Sequence, residues 1–262
     1  MPTNTSLTRL RRSSALVLFF AVLLGLGVAI PIALLNRAHN GAREGVRTSG
    51  HVAGRPARLA VRAPRSGAGH PLVYVAIGAS DSYGVGADDP ATQSWPADLA
   101  AFLPPGTHFV NLGVPGILLA RAAQVELPVT LDARPDLVTV WLAVDDLAAG
   151  VPLDTYRQEL DSLLDALKHG TGARVLIANV PDLGLIPRFN GQPGITATVT
   201  AWNVAIAAAA RAHGATVVDL FGQWRELAAH PEYVGADGFH PSTEGYRQIA
   251  RLFWQAYQSE PG

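Results

Sequence analysis

The chain has 262 residues, no cysteine and a formal net charge of −1 that hides an uneven distribution. Residues 1–70 contain ten arginines and a single acid, Glu44, so ten basic and twenty acidic side chains remain in the rest of the chain. An acidic remainder lacks the basic surface that binding to nucleic acid requires. The absence of cysteine excludes thiol nucleophiles, cysteine-ligated zinc and disulfides.

A basic tail at residues 1–14 precedes a stretch of 21 uncharged residues at 15–35. A helix of this length crosses the core of a bilayer, so a transmembrane anchor is predicted. A cleaved signal peptide, and hence a secreted protein, is the alternative, although signal peptides usually have a shorter apolar core and a small-residue cleavage site. The arginines before the span favour a single-pass protein of the cell membrane with its C-terminal part outside the cytoplasm.

Residues 36–70 are rich in Gly, Ala, Arg and Pro and show neither helical nor strand periodicity. They are predicted to form a disordered basic linker, because they contain almost nothing that builds a core. The folded domain is therefore expected at residues 71–262, a length that sustains one core without disulfides or structural metals.

Short, β-branched apolar runs alternate with helical patterns beyond residue 71. Strands are predicted at residues 72–78, 107–113, 136–143, 173–180 and 215–220. Helices are predicted at residues 92–103, 153–169, 197–213 and 243–258. This alternation predicts an α/β fold: a single doubly wound, flavodoxin-like, three-layer α/β/α domain with a five-stranded parallel sheet. Ligands of such sheets bind at the carboxyl ends of the strands. The residues that follow those ends are Ser80, 113–116, Asp145 and Asp146.

The first predicted strand ends in a turn rich in small residues, 78–86, with Ser80 near its start. A serine at such a turn is exposed at the sheet edge, and neighbouring backbone N–H groups can point at a developing oxyanion. A phosphate-binding loop has a similar composition. Its G-x-G-x-x-G and G-K-[ST] patterns are missing, which argues against nucleotide binding.

Near the C-terminus, Asp237 stands three residues before His240 and just ahead of the last predicted helix. A short loop of this kind can hold a carboxylate beside an imidazole, as the general base of a serine nucleophile requires. A surface loop with a turn-forming aspartate is the alternative, but the serine turn at the other end of the domain favours the catalytic interpretation. The other histidines show no spacing typical of a metal site.

These segments resemble the SGNH hydrolases, also called the GDSL esterase/lipase superfamily, over about residues 72–258. The family's first block, G-D-S-x-x-x-G, is similar to GASDSYG here, which implies that Ser80 is the nucleophile and that Ala79 replaces the usual aspartate. Ser82 is a competing candidate, since D-S-x-x-x-G also reads from Asp81 to Gly86.

The resemblance also implies roles for the remaining blocks. The D-x-x-H pattern is matched in full, so Asp237 would orient the base and His240 would be the base. The oxyanion hole would consist of the N–H groups of Ser80 and Gly116 and of a side chain in the third block, where Asp145 stands in place of the family's asparagine.

The aspartate at position 145 leaves three interpretations open. An ionised carboxylate only accepts hydrogen bonds, and the loss of one oxyanion donor slows a reaction about a hundred- to a thousand-fold. Asp145 could be protonated and still donate, as buried carboxylic acids do elsewhere. The backbone N–H groups of Ser80 and Gly116 could suffice, or the protein could be a weak or non-catalytic relative.

The resemblance implies a serine ester hydrolase that works through an acyl-serine intermediate without metal or organic cofactor. The expected substrate is an acyl or acetyl ester of lipid, glycan or small-molecule origin, and the expected catalytic domain is monomeric. Apolar residues in the loop 181–196 favour an acyl chain. A non-catalytic binding module of the cell envelope is the alternative, motivated by Ala79 and Asp145.

Overall fold

The structure, a computed structural model, describes residues 70–227 and 229–259. The predicted tail, anchor and linker at residues 1–14, 15–35 and 36–70 lie outside this part, apart from His70 at its edge. Among the described helices, none combines the length and apolar character needed to cross a bilayer.

Five parallel strands form one sheet in the order β2-β1-β3-β4-β5. They are β1 (Val73–Gly78), β2 (His108–Asn111), β3 (Leu137–Trp141), β4 (Arg174–Ala178) and β5 (Thr216–Val218). The five-stranded parallel sheet predicted from the sequence is confirmed, with somewhat shorter strands.

The central strands are buried along almost their whole length. Every residue of β3 is buried, as are all but the first residues of β1 and β4. A parallel strand that is buried on both faces must be covered by helices on both sides. The polar Thr139 is tolerated in the middle of β3 because its hydroxyl is 3.0 Å from the Tyr74 hydroxyl, within hydrogen-bond distance.

Helices fill the connections between the strands. In chain order they are α1 (Ser80–Tyr83), α2 (Pro90–Gln93), α3 (Trp95–Phe102), α4 (Leu119–Ala133), α5 (Val144–Ala148), α6 (Leu153–Gly170), α7 (Ile195–His213), α8 (Leu220–Leu227) and α9 (Thr243–Gln258). Helix α3 packs against α9, whereas α6 packs against both α4 and α7. The helices therefore form two packed groups, one with α3 and α9 and the other with α4, α6 and α7.

The helices α1, α5 and α8 were not predicted, and two further helical regions differ from the prediction. The predicted helix at 92–103 is divided at Ser94 into α2 and α3, each of which has a proline in its first turn. Helix α4 was not predicted, because Pro128 lies inside it and a proline removes one helical hydrogen bond. Its burial against α6 and the sheet compensates for that loss.

The last helix begins as predicted. The Ser242 side chain caps α9 by accepting a hydrogen bond from the Gly245 N–H at 3.2 Å. This cap fixes the start of α9 three residues after His240.

Candidate active site

Ser80 is the first residue of α1 and lies immediately beyond the carboxyl end of β1. Gly78, the last residue of β1, pairs with Trp141 of β3, so the serine follows an inner strand that lies between β2 and β3. As the first helical residue, Ser80 has an N–H group without a partner in its own helix. The start of α1 therefore places the Ser80 hydroxyl and the Ser80 N–H group together at the carboxyl edge of the sheet.

Two hydrogen-bond contacts join Ser80, His240 and Asp237 into a chain. The Ser80 Oγ lies 3.0 Å from His240 Nε2, and His240 Nδ1 lies 2.6 Å from Asp237 Oδ2. A carboxylate only accepts, so Nδ1 donates to Asp237 and Nε2 is left to accept the proton of the serine. This is the tautomer that a histidine needs to act as a general base towards a hydroxyl.

Asp237 is held in its ionised form. Partial burial alone would raise its pKa, but hydrogen bonds from the His240 ring and from the Phe239 and His240 N–H groups lower the pKa below its usual value. These two backbone N–H groups donate to Oδ1 at 2.9 and 3.0 Å, which leaves Oδ2 for the imidazole. The carboxylate is therefore oriented as well as charged.

Backbone hydrogen bonds hold the loop that carries Asp237 and His240. The Gly235 N–H donates to the His240 carbonyl at 2.7 Å, and the Gly238 N–H donates to the Gly235 carbonyl at 3.0 Å. Gly238 has a positive φ of 68°, which its lack of a Cβ allows. The loop is thus a closed turn that presents both side chains on one side.

The serine turn packs directly against this loop. A Cβ on Gly86 would lie 2.5 Å from the Pro241 carbonyl oxygen and 3.2 Å from His240 Cβ. The absence of a side chain at Gly86 lets the serine turn approach the loop that carries His240. This close approach accounts for a glycine at position 86 whether or not Ser82 is the nucleophile.

The competing serine has a different environment. Ser82 is fully buried and its hydroxyl has no hydrogen-bond partner among the described residues. A Cβ on Gly78 would collide with the Ser82 hydroxyl, so this hydroxyl lies against the end of β1. Ser80, and not Ser82, makes the contact with His240.

The loop after β2 also contacts the serine turn. The Asn111 Nδ2 donates to the Ser82 carbonyl at 2.6 Å, and its Oδ1 accepts from the Gly113 N–H at 3.0 Å. A glycine is needed at position 113 because the backbone of α1 passes close to it: an added Cβ would lie 2.5 Å from the Tyr83 nitrogen. Its φ is not in the left-handed region, so backbone conformation does not demand a glycine there. Gly116 follows in this loop with a φ of 76°, and its role as an oxyanion donor stays a prediction.

Two aspartates follow β3 and have different surroundings. Asp146 is 1% exposed, and its two carboxylate oxygens accept from the Leu119 N–H at 3.2 and 3.1 Å, which fixes the start of α4. Asp145 is only partly buried. Burial raises its pKa, and the nearby His240 partly offsets the rise. Asp145 therefore lies within electrostatic reach of the imidazole.

Asp81 is a residue of the site that sequence analysis did not single out. Burial raises its pKa to about 6, His240 lowers it, and the charges of Asp145 and Asp237 raise it. The imidazole of His240 thus interacts electrostatically with Asp81 and Asp145 and is in contact with Asp237. The one feature of the sequence that pointed to Asp81 was its position directly after the proposed nucleophile. The burial of Asp81 depends on tertiary contacts.

A small apolar pocket lies beside these groups. Its cavity volume is about 20 Å³, which is room for about one water molecule. The lining residues are Asp81, Trp141, Val144, Pro181, Leu183, Ile186, Phe239 and Pro241. The loop 181–196 thus contributes an apolar wall, and the only charged residue in the lining is Asp81.

Another buried carboxyl group lies behind the nucleophile. Glu126 in α4 is 2% exposed, and its Oε2 accepts from the Gly78 N–H at 3.0 Å. Its Oε1 has no hydrogen-bond partner among the described residues. Burial raises the pKa of Glu126 to about 8, although the Gly78 hydrogen bond opposes the rise. Sequence analysis missed this residue because α4 was not predicted.

A serine, a histidine and an aspartate are thus linked at the carboxyl edge of a parallel α/β sheet. The chain belongs to the GDSL-like lipase/acylhydrolase family, whose model matches residues 76–248. None of the curated proteins with which the sequence was compared matches it. No group of three or more His, Cys, Asp or Glu residues in the described part of the chain is arranged to hold a metal ion.

Solved structures share the fold. A lipase/acylhydrolase from Enterococcus faecalis is 21% identical with a TM-score of 0.58, covering 73% of this chain and 98% of that one. TesA is 22% identical with a TM-score of 0.60, over 71% of this chain and 98% of that one. The acetylxylan esterase Axe2 from Geobacillus stearothermophilus is 20% identical with a TM-score of 0.60, over 74% and 96%. At these identities the likeness establishes the fold.

Proposed function

We propose that the protein is a serine ester hydrolase that cleaves a carboxylic ester through an acyl-serine intermediate. The observation that carries this proposal is the unbroken contact from the Ser80 hydroxyl through His240 to Asp237, at 3.0 and 2.6 Å. Membership of the GDSL-like lipase/acylhydrolase family supports the same chemistry.

The proposed reaction has two halves. As Ser80 Oγ attacks the ester carbonyl, His240 Nε2 takes the hydroxyl proton and then gives it to the departing alcohol, which leaves an acyl-serine. A water molecule then attacks the acyl carbon, with His240 again as the base, and releases the carboxylic acid and the free serine. Asp237 stabilises the imidazolium that forms in each half.

The oxyanion of each step is proposed to bind to the N–H groups of Ser80 and Gly116. Asp145 occupies the position of a third donor, and it can donate only in its protonated form. The burial that raises its pKa favours that form, whereas the charge that His240 gains when it takes the serine proton opposes it. We propose that the two backbone donors sustain catalysis and that Asp145 limits its rate on neutral esters.

The test is hydrolysis of p-nitrophenyl acetate and labelling by a fluorophosphonate, measured on the full-length protein. Ser80→Ala should abolish both, because it removes the nucleophile. Ser82→Ala is the matched control and should keep both, since its hydroxyl does not contact His240. Loss of labelling in Ser82→Ala alone, with an unchanged unfolding temperature in both variants, would contradict the assignment.

The second candidate function is a binding module without catalysis, favoured by the carboxylate at position 145 and by Ala79, which is buried where the family has an aspartate. Absence of hydrolysis and labelling in both wild type and Asp145→Asn would favour this function. Recovery of activity in Asp145→Asn alone would identify a hydrolase whose oxyanion hole is impaired.

We also propose that residues 15–35 anchor the chain in the cell membrane with the hydrolase domain outside the cytoplasm. The support is the uncharged length of this stretch and the arginines before it. Protease added to intact cells should degrade the domain and leave a membrane-bound N-terminal fragment. Release of the intact domain into the medium would indicate signal-peptide cleavage instead.

A further inference from the structure

Gly78, the last residue of β1, is held from several sides. Its N–H group donates to Glu126 Oε2 at 3.0 Å, and its carbonyl accepts from the Val114 N–H at 3.0 Å. A Cβ at this position would collide with the Ser82 hydroxyl. Gly78 also pairs with Trp141 of β3. The end of β1 therefore contacts α4, the loop after β2, α1 and β3.

Glu126 supplies an acceptor that the sheet does not provide. Strand β2 ends at Asn111, which pairs with Ala76, so no residue of β2 lies opposite Gly78. The Glu126 carboxyl group takes the place of a strand carbonyl as the acceptor of the Gly78 N–H. A buried N–H group without an acceptor is unfavourable. The bond from Val114 involves backbone atoms alone, whereas the bond to Glu126 depends on a side chain and can be removed by substitution.

The place of a carboxyl group on the buried face of α4 is explained by this contact. The buried residues of α4 are Leu119, Ala122, Glu126 and Thr130, and the helix lies against β1. Burying a carboxyl group is unfavourable unless hydrogen bonds compensate. The Gly78 N–H gives such a bond to Oε2, while Oε1 has no partner among the described residues. The carboxyl group thus serves the end of β1 and not α4 itself.

The end of β1 determines where the proposed nucleophile lies. Only Ala79 separates Gly78 from Ser80 in the chain. Ala79 is buried, and its carbonyl accepts from the Tyr83 N–H at 3.0 Å, so a displacement of Gly78 is passed on to Ser80. The Ser80 Oγ has to stay near His240 Nε2, which is 3.0 Å away. A misplacement of about 1 Å can slow a reaction on the order of a hundredfold.

We propose that Glu126 is a positioning residue that holds the end of β1 and thereby keeps the Ser80 hydroxyl in contact with His240. This inference rests on the proposed hydrolase function. Glu126 acts through the backbone of Gly78 and not on the ester itself. Loss of its acceptor should therefore slow the chemical step and leave the affinity for the substrate in place.

The test replaces Glu126 in the full-length protein in three ways. Glu126→Met removes the acceptor at similar side-chain length, and Glu126→Asp withdraws the carboxyl group by one methylene. Glu126→Gln keeps an oxygen that accepts the Gly78 N–H. A pKa of about 8 leaves Glu126 mostly protonated at pH 7, so glutamine is its uncharged counterpart there. The measured quantities at pH 7 are kcat and KM for p-nitrophenyl acetate and the rate constant of labelling by a fluorophosphonate.

Glu126→Met should lower kcat and the labelling rate constant by about ten- to a hundredfold with little change in KM, because the serine is displaced. Glu126→Gln should recover most of the wild-type rate, since the hydrogen bond is restored. Thr130→Val is the matched control. Thr130 is buried one turn after Glu126, and its hydroxyl donates to the Glu126 carbonyl within α4 at 2.9 Å. This control alters the same helix without removing the Gly78 hydrogen bond, and it should leave kcat unchanged.

Wild-type kcat and labelling in Glu126→Met would overturn the inference. An equal fall in Thr130→Val or in Glu126→Gln would do the same, because the effect would then not depend on the acceptor. A rise in KM at unchanged kcat would also contradict it. If urea unfolding shows that Glu126→Met does not fold, Glu126→Asp takes its place with the same expected results.

Failure of the hydrolase proposal would be seen separately, as absence of both hydrolysis and labelling in wild type. The amide chemical shifts of Ser80 and His240 then decide whether Glu126 positions the serine. They should move in Glu126→Met and stay close to wild type in Glu126→Gln and Thr130→Val. Shifts that stay in place in Glu126→Met, or that move equally in all three variants, would refute the inference.

Discussion

Replacing Glu126 by glutamine should make the protein more stable in alkaline solution. Glu126 is almost fully buried, and one of its oxygens has no partner among the described residues. Glutamine has nearly the same shape and can still accept the Gly78 N–H with its amide oxygen. The substitution therefore removes the ability to ionise and little else.

The sign and the size follow from the pKa of the carboxyl group. Burial raises this pKa from 4.5 to about 8 in the folded protein. The contribution of the protonated group to stability is fully present below about pH 4.5 and is lost as the pH rises through 8. At about 1.4 kcal/mol per pKa unit, wild type should lose on the order of 3–5 kcal/mol relative to Glu126→Gln across this interval.

The assay is urea unfolding at pH 5, 7 and 9, followed by the fluorescence of the buried tryptophans. The two proteins should have similar unfolding free energies at pH 5 and should separate by a few kcal/mol at pH 9. Other titrating carboxyl groups, such as Asp81 and Asp146, are common to both proteins, so the difference isolates Glu126. The exposed Glu226→Gln is the control and should follow wild type at every pH. Parallel curves for wild type and Glu126→Gln would show that the ionised carboxylate is accommodated, and the argument from burial would be refuted.

Three further substitutions test the site. Asp145→Asn should raise kcat/KM on p-nitrophenyl acetate by about ten- to a hundredfold, because it supplies an oxyanion donor and removes a charge. An unchanged or lower rate would mean that Asp145 already donates in its protonated form. Asp237→Asn should lower kcat by about ten-thousandfold because it favours the histidine tautomer that cannot accept the serine proton, as the same change does in a serine protease. A loss below tenfold would show that His240 does not need a carboxylate partner. Gly113→Ala should lower the unfolding free energy by about 1–3 kcal/mol, because its Cβ would lie 2.5 Å from the Tyr83 nitrogen. The same substitution should slow the labelling of Ser80. An unchanged unfolding temperature would show that the serine turn accommodates the added Cβ without strain.

The sequence predicts the triad contacts better than it predicts their surroundings. The D-x-x-H spacing places Asp237 and His240 in one short loop, so their geometry is largely local, and the small residues of the serine turn indicate where Ser80 lies. The strands were predicted for a similar reason, since β-branched runs bounded by turns are strong local signals.

The carboxyl groups of Asp81 and Glu126 were not predicted as features of the site, because their importance depends on burial. Glu126 reaches the end of β1 only because α4 forms despite Pro128, and tertiary packing overrides the local preference against a proline. The position of Asp145 was identified by comparison with the family pattern. Its electrostatic state depends on His240, which is far away in sequence.

The Ser80 hydroxyl and the His240 ring that it contacts are separated by 160 positions along the chain. A growing polypeptide therefore contains the serine long before the base that activates it. A chain cut before Asp237 keeps Ser80 and all five strands but lacks both His240 and Asp237. The contact between Ser80 and His240 therefore forms only when the final loop docks against the serine turn.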